Sequence, residues 1–597
     1  MAVENLITEH IDIWTSAVKS KSTSGRGSSK KLELYGIKKL RELILELAVR
    51  GKLVPQDPND EPASVLLERI TAEKARLVKE QKIKKPKQLP AISESEIIEE
   101  LPKSWELVRI GCMSTLENGD RSKNYPNKSV LVESGIPFVN AGHLVNSRIN
   151  EAEMTYITQE RFDLLRAGKF NDGDILFCLR GSLGKCAIVE NFGIGAIASS
   201  LVIVKPEKSV IPEYLLKFFE SPLSLSNIRK YDNGTAQPNL SASDLAKFVI
   251  PLPPLNEQHR IVAKVDELMA LCDQLEQQTE ASIEAHQVLV TTLLDSLLLP
   301  TATAEGSLTN SADANELMQN WARISEHFDT LFTTEESIDQ LKQTILQLAV
   351  MGKLVPQDPS DEPAAELLKR IAEEKAQLVK EKKIKKQKAL PPISEDEKPF
   401  ELPNGWEWCR FNDAIDVRDG THDSPKDATG TNTYPLITSK NFINGKIDFD
   451  NARQISSEDH FEIIKRSQVD KLDILFSMIG GNIGNQVIVE DERNFSIKNV
   501  ALFKYYNVRY TYPYFVFLYT QNLAKDLQTK AVGGAQPFIS LGALRSLLFA
   551  LPPREEQEKI VTKVKELMML CDQLIARLKE SQATQLHLTD TIVEQAV

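Results

Sequence analysis

The chain has 597 residues, 42% of them hydrophobic, and carries a formal net charge of −12. That length suits roughly four domain-sized units. The apolar content is ordinary for a globular protein, and no apolar run is long enough to span a bilayer. The acidic total excludes a generic nucleic-acid coat protein. DNA binding confined to part of the surface stays open, since acidic helices elsewhere can set the total while a local patch is basic.

Residues 1–56 read as a helix, a Gly- and Ser-rich break (SKSTSGRGSSKK) and a second helix ending at Gly51. Residues 62–85 read as a charged helix with pairs such as Glu73 and Arg76 on exposed faces, followed by the basic run Lys82–Lys87. From 101 to 254 the texture changes to short β-type runs (GIPFVNA, GDILFCL, KCAIVE, ASSLVIV) punctuated by Gly, Asn, Asp and Pro. A helix is expected after Pro212. Residues 255–298 return to helical periodicity. Ile261, Val265, Leu268, Cys272 and Leu275 alternate steps of four and three, which is a heptad seam.

The whole series then recurs. ILELAVRGKLVPQDP at Ile44–Pro58 returns as ILQLAVMGKLVPQDP at Ile345–Pro359. Leu101-Pro102 with Trp105 returns as Leu402-Pro403 with Trp406, and Leu252-Pro253-Pro254 returns as Leu551-Pro552-Pro553. The second seam is Ile560, Val564, Leu567, Cys571 and Leu574, extended by Leu578. The period is too long for a solenoid repeat, so this is a duplicated module. Each seam belongs either to an ordinary amphipathic helix packed on its own domain or to one long coiled coil formed by both helices, and self-complementary copies favour the second. The first seam helix runs through a linker (PTATAEGSLTNSADAN) into a helix of the next copy, whereas the second ends with the chain. The N-terminal helices therefore complete, by cyclic permutation, the unit at the C-terminus, and the termini are expected to approach each other in a helical bundle.

No catalytic constellation is visible. Arg180-Gly-Ser-Leu-Gly-Lys185 has Leu179 and Cys186 where a phosphate loop needs Gly and Ser or Thr, so it reads as a strand–turn–strand connection. Phe192-Gly-Ile-Gly195 resembles a methyltransferase cofactor loop but lacks the Asn/Asp-Pro-Pro-aromatic motif, and reads as a turn. The eight histidines show no metal spacing, and the six cysteines, far apart, contain no CxxC pair. No metal is expected. With an opening segment (MAVENLITEHIDIW) unlike a secretory signal, the reducing cytoplasm is the expected compartment.

These repeated elements carry a resemblance. The chain resembles the specificity subunit of type I restriction-modification systems. The signature is a β-rich domain entered through Leu-Pro-x-x-Trp, a Gly-x-Ala-Gln-Pro turn (Gly234–Pro238 and Gly533–Pro537), and Leu-Pro-Pro-x-x-Glu-Gln leading into a long helix, all present twice. Asp419-Gly-Thr-His422-Asp-Ser-Pro425 resembles a loop common in that family's recognition domains, where the first copy has Asn118-Gly119-Asp120-Arg121. The resemblance implies a non-catalytic α+β protein with two target-recognition domains. Long antiparallel coiled-coil helices separate them in a pseudo-twofold cyclic arrangement.

The domains expected are an N-terminal helical segment (1–100), recognition domain one (101–254), a central helical region (255–400), recognition domain two (401–553) and a C-terminal helix (554–597). Each recognition domain would read one part of a bipartite double-stranded DNA site. Two modification subunits would dock on the helices and carry S-adenosylmethionine and the adenine-methylating site. Restriction subunits would bring ATP and Mg, leaving this chain without a cofactor of its own. A helix of about 40 residues is about 60 Å long, ample to set domains on major grooves about 34 Å apart.

Base readout needs donor and acceptor forks on exposed loops. The candidates are Arg121, Lys123, Asn124, Arg180, Lys185, Asn233 and Gln237 in the first copy, and His422, Lys426, Lys440, Asn441, Asn482, Asn485 and Gln536 in the second. Structural roles compete at each: Gln237 and Gln536 could brace a loop before a helix capped by Ser241 or Ser540. Lys82–Lys87 and Lys382–Lys388 could meet phosphate, solvent or an acidic partner. An alternative function is a coiled-coil adaptor with two protein-binding domains and no DNA role, supported by the acidic total.

Overall fold

The computed structural model describes residues 3–21, 31–81, 88–98, 100–232, 234, 238–298, 301–302, 308–309, 324, 326–532 and 537–597. Most of the Gly- and Ser-rich break and of the inter-copy linker, and all of Lys82–Lys87, lie outside these. The chain divides into two compact units: Met1–Ser282 with Ser581–Val597, and Ile283–Glu580.

Each unit holds a recognition domain of mixed α and β structure. In unit one the border strands Glu106–Arg109 and Val249–Leu252 pair antiparallel, so the domain closes where it opened. Between them lies a sheet ordered Cys186–Ile188, Ile175–Cys178, Leu201–Pro206, Ser114–Asn118. A second sheet is ordered Thr155–Ile157, Ile136–Val139, Ile194–Ile197, Lys169–Asn171, and its middle pair is parallel. The central strands of the first sheet are buried on both faces, which explains their continuous Val, Ile and Leu content.

Unit two repeats this order, except that among the described residues its second sheet has no counterpart of Lys169–Asn171. Glu407–Arg410 pairs with Leu548–Leu551. The first sheet runs Ile415–Asp419, Val500–Tyr505, Ile474–Ser477, Gln486–Ile488, and the second runs Arg453–Ser456, Thr433–Ile437, Ser496–Ile497, again with a parallel pair. One visible difference has a local cause. Unit one breaks a helix into Pro212–Glu220 and Pro222–Tyr231, whereas unit two runs Pro513–Thr529 without interruption. Pro222 lacks an N–H for the helix ladder, and Ser221 caps the new start by accepting from Ser224 N.

The repeated motifs converge on one buried carboxylate per unit. In unit one Glu257, the Glu of the Leu-Pro-Pro motif, accepts from Trp105 Nε1 at 3.0 Å and from Gln56 of the first VPQDP. In unit two Glu556 accepts from Trp406 Nε1 at 3.0 Å and Gln357 Nε2 at 3.2 Å. The neighbouring Gln258 and Gln557 each accept from the backbone N–H of the N-cap residue of helix Pro212–Glu220 or Pro513–Thr529, Ile211 and Tyr512 respectively. Gly51 and Gly352 turn at positive φ beneath Pro102 and Pro403, where a Cβ would stand 2.5 Å from the proline ring. Burial raises Glu556 to about 7 despite these donors, and raises Glu257 in the same way.

A second clamp fixes the border strand. Arg109 donates to Glu96 and to the carbonyls of Pro90, Ala91 and Lys247, and Arg410 donates to Glu397 and to those of Pro391, Pro392 and Ser546. Each guanidinium holds its partner carboxyl well below the usual range.

The long helices are Leu255–Leu298 and Arg554–Ala596. In unit two the seam Ile560, Val564, Leu567, Cys571 and Leu574 shares a core with Ile338, Leu341 and Ile345 of helix Glu335–Val350 and with Val290, Leu294 and Leu297. The first seam is buried likewise. Lys353 Nζ donates to Leu298 O at 3.3 Å, and Lys52 Nζ donates to Val597 O at 2.7 Å. The same lysine of the same motif thus meets the end of a long helix in both units. In unit one that end is at Val597.

Candidate nucleic-acid interface

The segment Arg180–Lys185 is the turn between strands Ile175–Cys178 and Cys186–Ile188. Its counterpart in unit two joins Ile474–Ser477 to Gln486–Ile488 and is one residue longer. Backbone bonds match the two turns. Cys178 N donates to Lys185 O and Ser477 N to Asn485 O, both at 2.8 Å. The first turn glycine is left-handed in each (φ 77° at Gly181, 76° at Gly480) and donates to the proline of the Gly-x-Ala-Gln-Pro motif, Pro238 or Pro537. The fold therefore seats that motif's end against the hairpin turn in both units.

The two loops close differently. In unit one Asp232 Oδ1 accepts from Gly234 N at 2.9 Å and Asn239 N at 2.8 Å, and these N–H groups hold its carboxyl below the usual range. In unit two Val532 and Phe538 pair backbone to backbone. Asn233, Gln237 and Gln536 lie outside the described residues.

Arg180 and Lys185 are exposed, as are Asn482 and Asn485. Arg180 Nε donates to Asn239 Oδ1 at 3.0 Å, which orients the guanidinium and leaves its terminal nitrogens without a partner among the described residues. Asn239 was not singled out by sequence.

A second loop follows strand Ser114–Asn118 and its counterpart Ile415–Asp419. Arg121 and Lys123 are exposed, and Asn124 is half-buried with its Nδ2 donating to Leu164 O. Asp120 braces this loop by accepting from Ser122 N and Arg166 N. Burial opposes its ionisation, but the Ser122 hydroxyl and the N–H groups of Arg166 and Ser122 outweigh it and keep the carboxyl low. In unit two His422 is exposed, with Nε2 3.1 Å from Asp419 Oδ2 and Nδ1 3.2 Å from Asn499 Oδ1. Asp419 also pairs with Arg466. Arg166 and Arg466 thus join these loops through tertiary contact, a link that no local motif announces.

Lys426 and Lys440 are exposed. Asn441 is not free for a ligand: it is buried, its Oδ1 accepts from Thr438 N, and its Nδ2 donates to Asp448 O. It fixes the short turn that carries Lys440. The Lys382–Lys388 run follows the helix end at Lys380, away from both loops in sequence, with Lys383 paired to Glu381. Among the described residues no cluster of His, Cys, Asp and Glu could hold a metal, and no helix is long and apolar enough to cross a membrane.

Comparison with known proteins bears on what these loops serve. The type I restriction modification DNA specificity domain matches residues 102–285 and 403–581. The chain is 43% identical to the type I restriction enzyme EcoAI specificity subunit of Escherichia coli, and 42% to the EcoEI specificity subunit, covering 100% of both chains in each case. The HsdS subunit of Thermoanaerobacter tengcongensis, a solved structure, aligns over 83% of this chain and 97% of its own at 17% identity, with a TM-score of 0.40. With two domain matches, one in each unit, and relatives of that identity along its full length, the chain belongs to the family of type I restriction-modification DNA specificity subunits.

Proposed function

We propose that this chain selects the DNA sequence on which a type I restriction-modification complex acts, each recognition domain (101–254 and 401–553) reading one part of a bipartite duplex site. The observation that carries this reading is the matched pair of exposed loop sets, held by the same backbone bonds on two copies of one frame. Arg121, Lys123, Arg180 and Lys185 supply unit one with basic and forked donors. His422, Lys426, Lys440, Asn482 and Asn485 supply unit two, to which the Gly-x-Ala-Gln-Pro segments add Gln536, and Asn233 and Gln237 add to unit one. Arg suits guanine or phosphate, and Asn and Gln suit adenine. Asn441 and Asn124 act as loop braces in this scheme.

The two long helices pair antiparallel and set the gap between half-sites. Supporting this, residues 353–357 hold both Leu298 at one helix's end and Glu556 at the other's start, and residues 52–56 hold Val597 and Glu257. Two modification subunits dock on the helical regions (1–100, 255–400 and 554–597) and bring S-adenosylmethionine and the methylating site. Restriction subunits bring ATP and Mg. The chain itself is non-catalytic and works in the cytoplasm. The adaptor alternative loses its support to the family relationship.

Methylome sequencing of cells carrying this chain with its modification subunits tests the reading. Adenine methylation at one split, asymmetric sequence is expected. Methyl transfer by the purified chain alone, or methylation without sequence preference, would overturn it.

A further inference from the structure

The two units differ most sharply at one matched bridge. Arg180 pairs with Asn239 in unit one, and Ile479 with Phe538 in unit two, each as an isolated antiparallel bridge between hairpin turn and loop. The bonds on either side agree: Leu240 N donates to Leu179 O and Ile539 N to Met478 O, both at 2.9 Å. One backbone position therefore carries a charged and an amide side chain in one unit and two apolar side chains in the other.

Phe538 is 47% exposed and Val532, its second bridge partner, 65% exposed. The core begins one residue later, at Ile539, which is 6% exposed. Phe538 is thus not a core residue that happens to reach the surface. Its backbone is fixed on two sides, and its ring stands on the same loop cluster as the exposed Asn482 and Asn485. Two large apolar side chains held in water beside polar readers call for an apolar counterpart on the ligand. In the major groove the one apolar group among base edges is the thymine C5-methyl, and phenylalanine is among the side chains that read it.

We infer that this bridge is a base-reading position, and that Phe538 of unit two reads the C5-methyl of a thymine in its half-site. The inference rests on the DNA reading proposed above. Arg180, oriented by Asn239, presents a guanidinium fork at the matching place, so the two half-sites call for different bases there.

The test uses the full chain assembled with its modification subunits and a duplex carrying its methylated sequence. Each thymine of either strand in the unit-two half-site is replaced singly by deoxyuridine, which lacks only the methyl group. Binding should weaken about fourfold at one position, the effect of one buried methyl, and not at the others. Phe538→Ala should bind the thymine and deoxyuridine duplexes equally, and Phe538→Leu should keep part of the preference. A half-site without thymine, no sensitive position, or discrimination retained by Phe538→Ala would each overturn the inference. Loss of subunit assembly in Phe538→Ala with thymine preference intact would assign the ring to a protein contact instead. Absence of sequence-specific binding to any unmodified duplex would sink the broader reading, a separate result.

Discussion

Unit one and unit two hold the same hairpin turn with the same backbone bonds and fill it with different chemistry. Arg180 and Lys185 stand where Ile479 and Asn485 stand, while Glu257 and Glu556 receive the same tryptophan and glutamine donors. The buried carboxylate and arginine clamps are duplicated with the same residue types, whereas the exposed loops share key backbone bonds and differ in length, closure and side chains. Such a division lets the loops change their donors and acceptors without disturbing the frame, because a loop side chain in water contributes little to stability.

The frame is where the largest effects should fall, and where its two copies can be told apart. Glu96 is more deeply buried than Glu397, with side-chain exposures of 9% and 39%. Arg109→Met leaves that carboxylate with Lys230 as its cation and removes the bonds to the carbonyls of Pro90, Ala91 and Lys247, and should cost up to about 3–5 kcal/mol. Arg410→Met should cost less, since water reaches Glu397. Chemical denaturation of both variants checks the order, and equal losses would mean that burial does not govern the clamp.

Next in size is a pH effect. Glu556 rises from 4.5 to about 7 on folding, so its contribution is fully present below 4.5 and is lost as pH rises through 7. The loss should approach about 3 kcal/mol. Glu556→Gln should flatten stability over that window in a pH series of unfolding curves. An unchanged slope would show that the carboxyl does not titrate there.

A binding effect follows. Asn482→Ala with Asn485→Ala should weaken readout in one half-site by about 1–3 kcal/mol per lost base contact, measured by binding to duplexes varied base by base. Smallest is the stability change on Arg180→Ala, an exposed turn residue, which should stay within about 0.5 kcal/mol. A larger drop in its melting curve would make Arg180 part of the frame.

Much of this division was legible in the sequence. The repeat, the Leu-Pro-x-x-Trp and Leu-Pro-Pro-x-x-Glu-Gln motifs and the order of segments made the duplicated mixed α and β module legible, because each motif is long and recurs intact. What those motifs do was not legible: Gln56, Trp105 and Glu257 meet only in the folded unit. The same holds for single site residues. Asn441 looks like any loop amide until its burial against Thr438 and Asp448 is seen. Arg466 reaches its candidate loop from helix Ser457–Ser467, and Arg166 does so through its backbone N–H from the bend after helix Gln159–Leu164. The position of Asn239 and Phe538 did carry a signal, polar in one copy and aromatic in the other directly after the Gln-Pro step that both copies share, but its meaning depends on the bridge to the hairpin turn.

The proposal that each recognition domain reads its own half-site is tested most directly by one assay. Replace Lys440, Asn482 and Gln536 together, assemble the variant with its modification subunits, and measure methylation over duplexes with every base varied in both half-sites and with varied gaps. Base preference should relax in the unit-two half-site alone, while that of the other half-site and the accepted gap stay as they were, though total affinity falls. Altered preference in both half-sites would contradict the account.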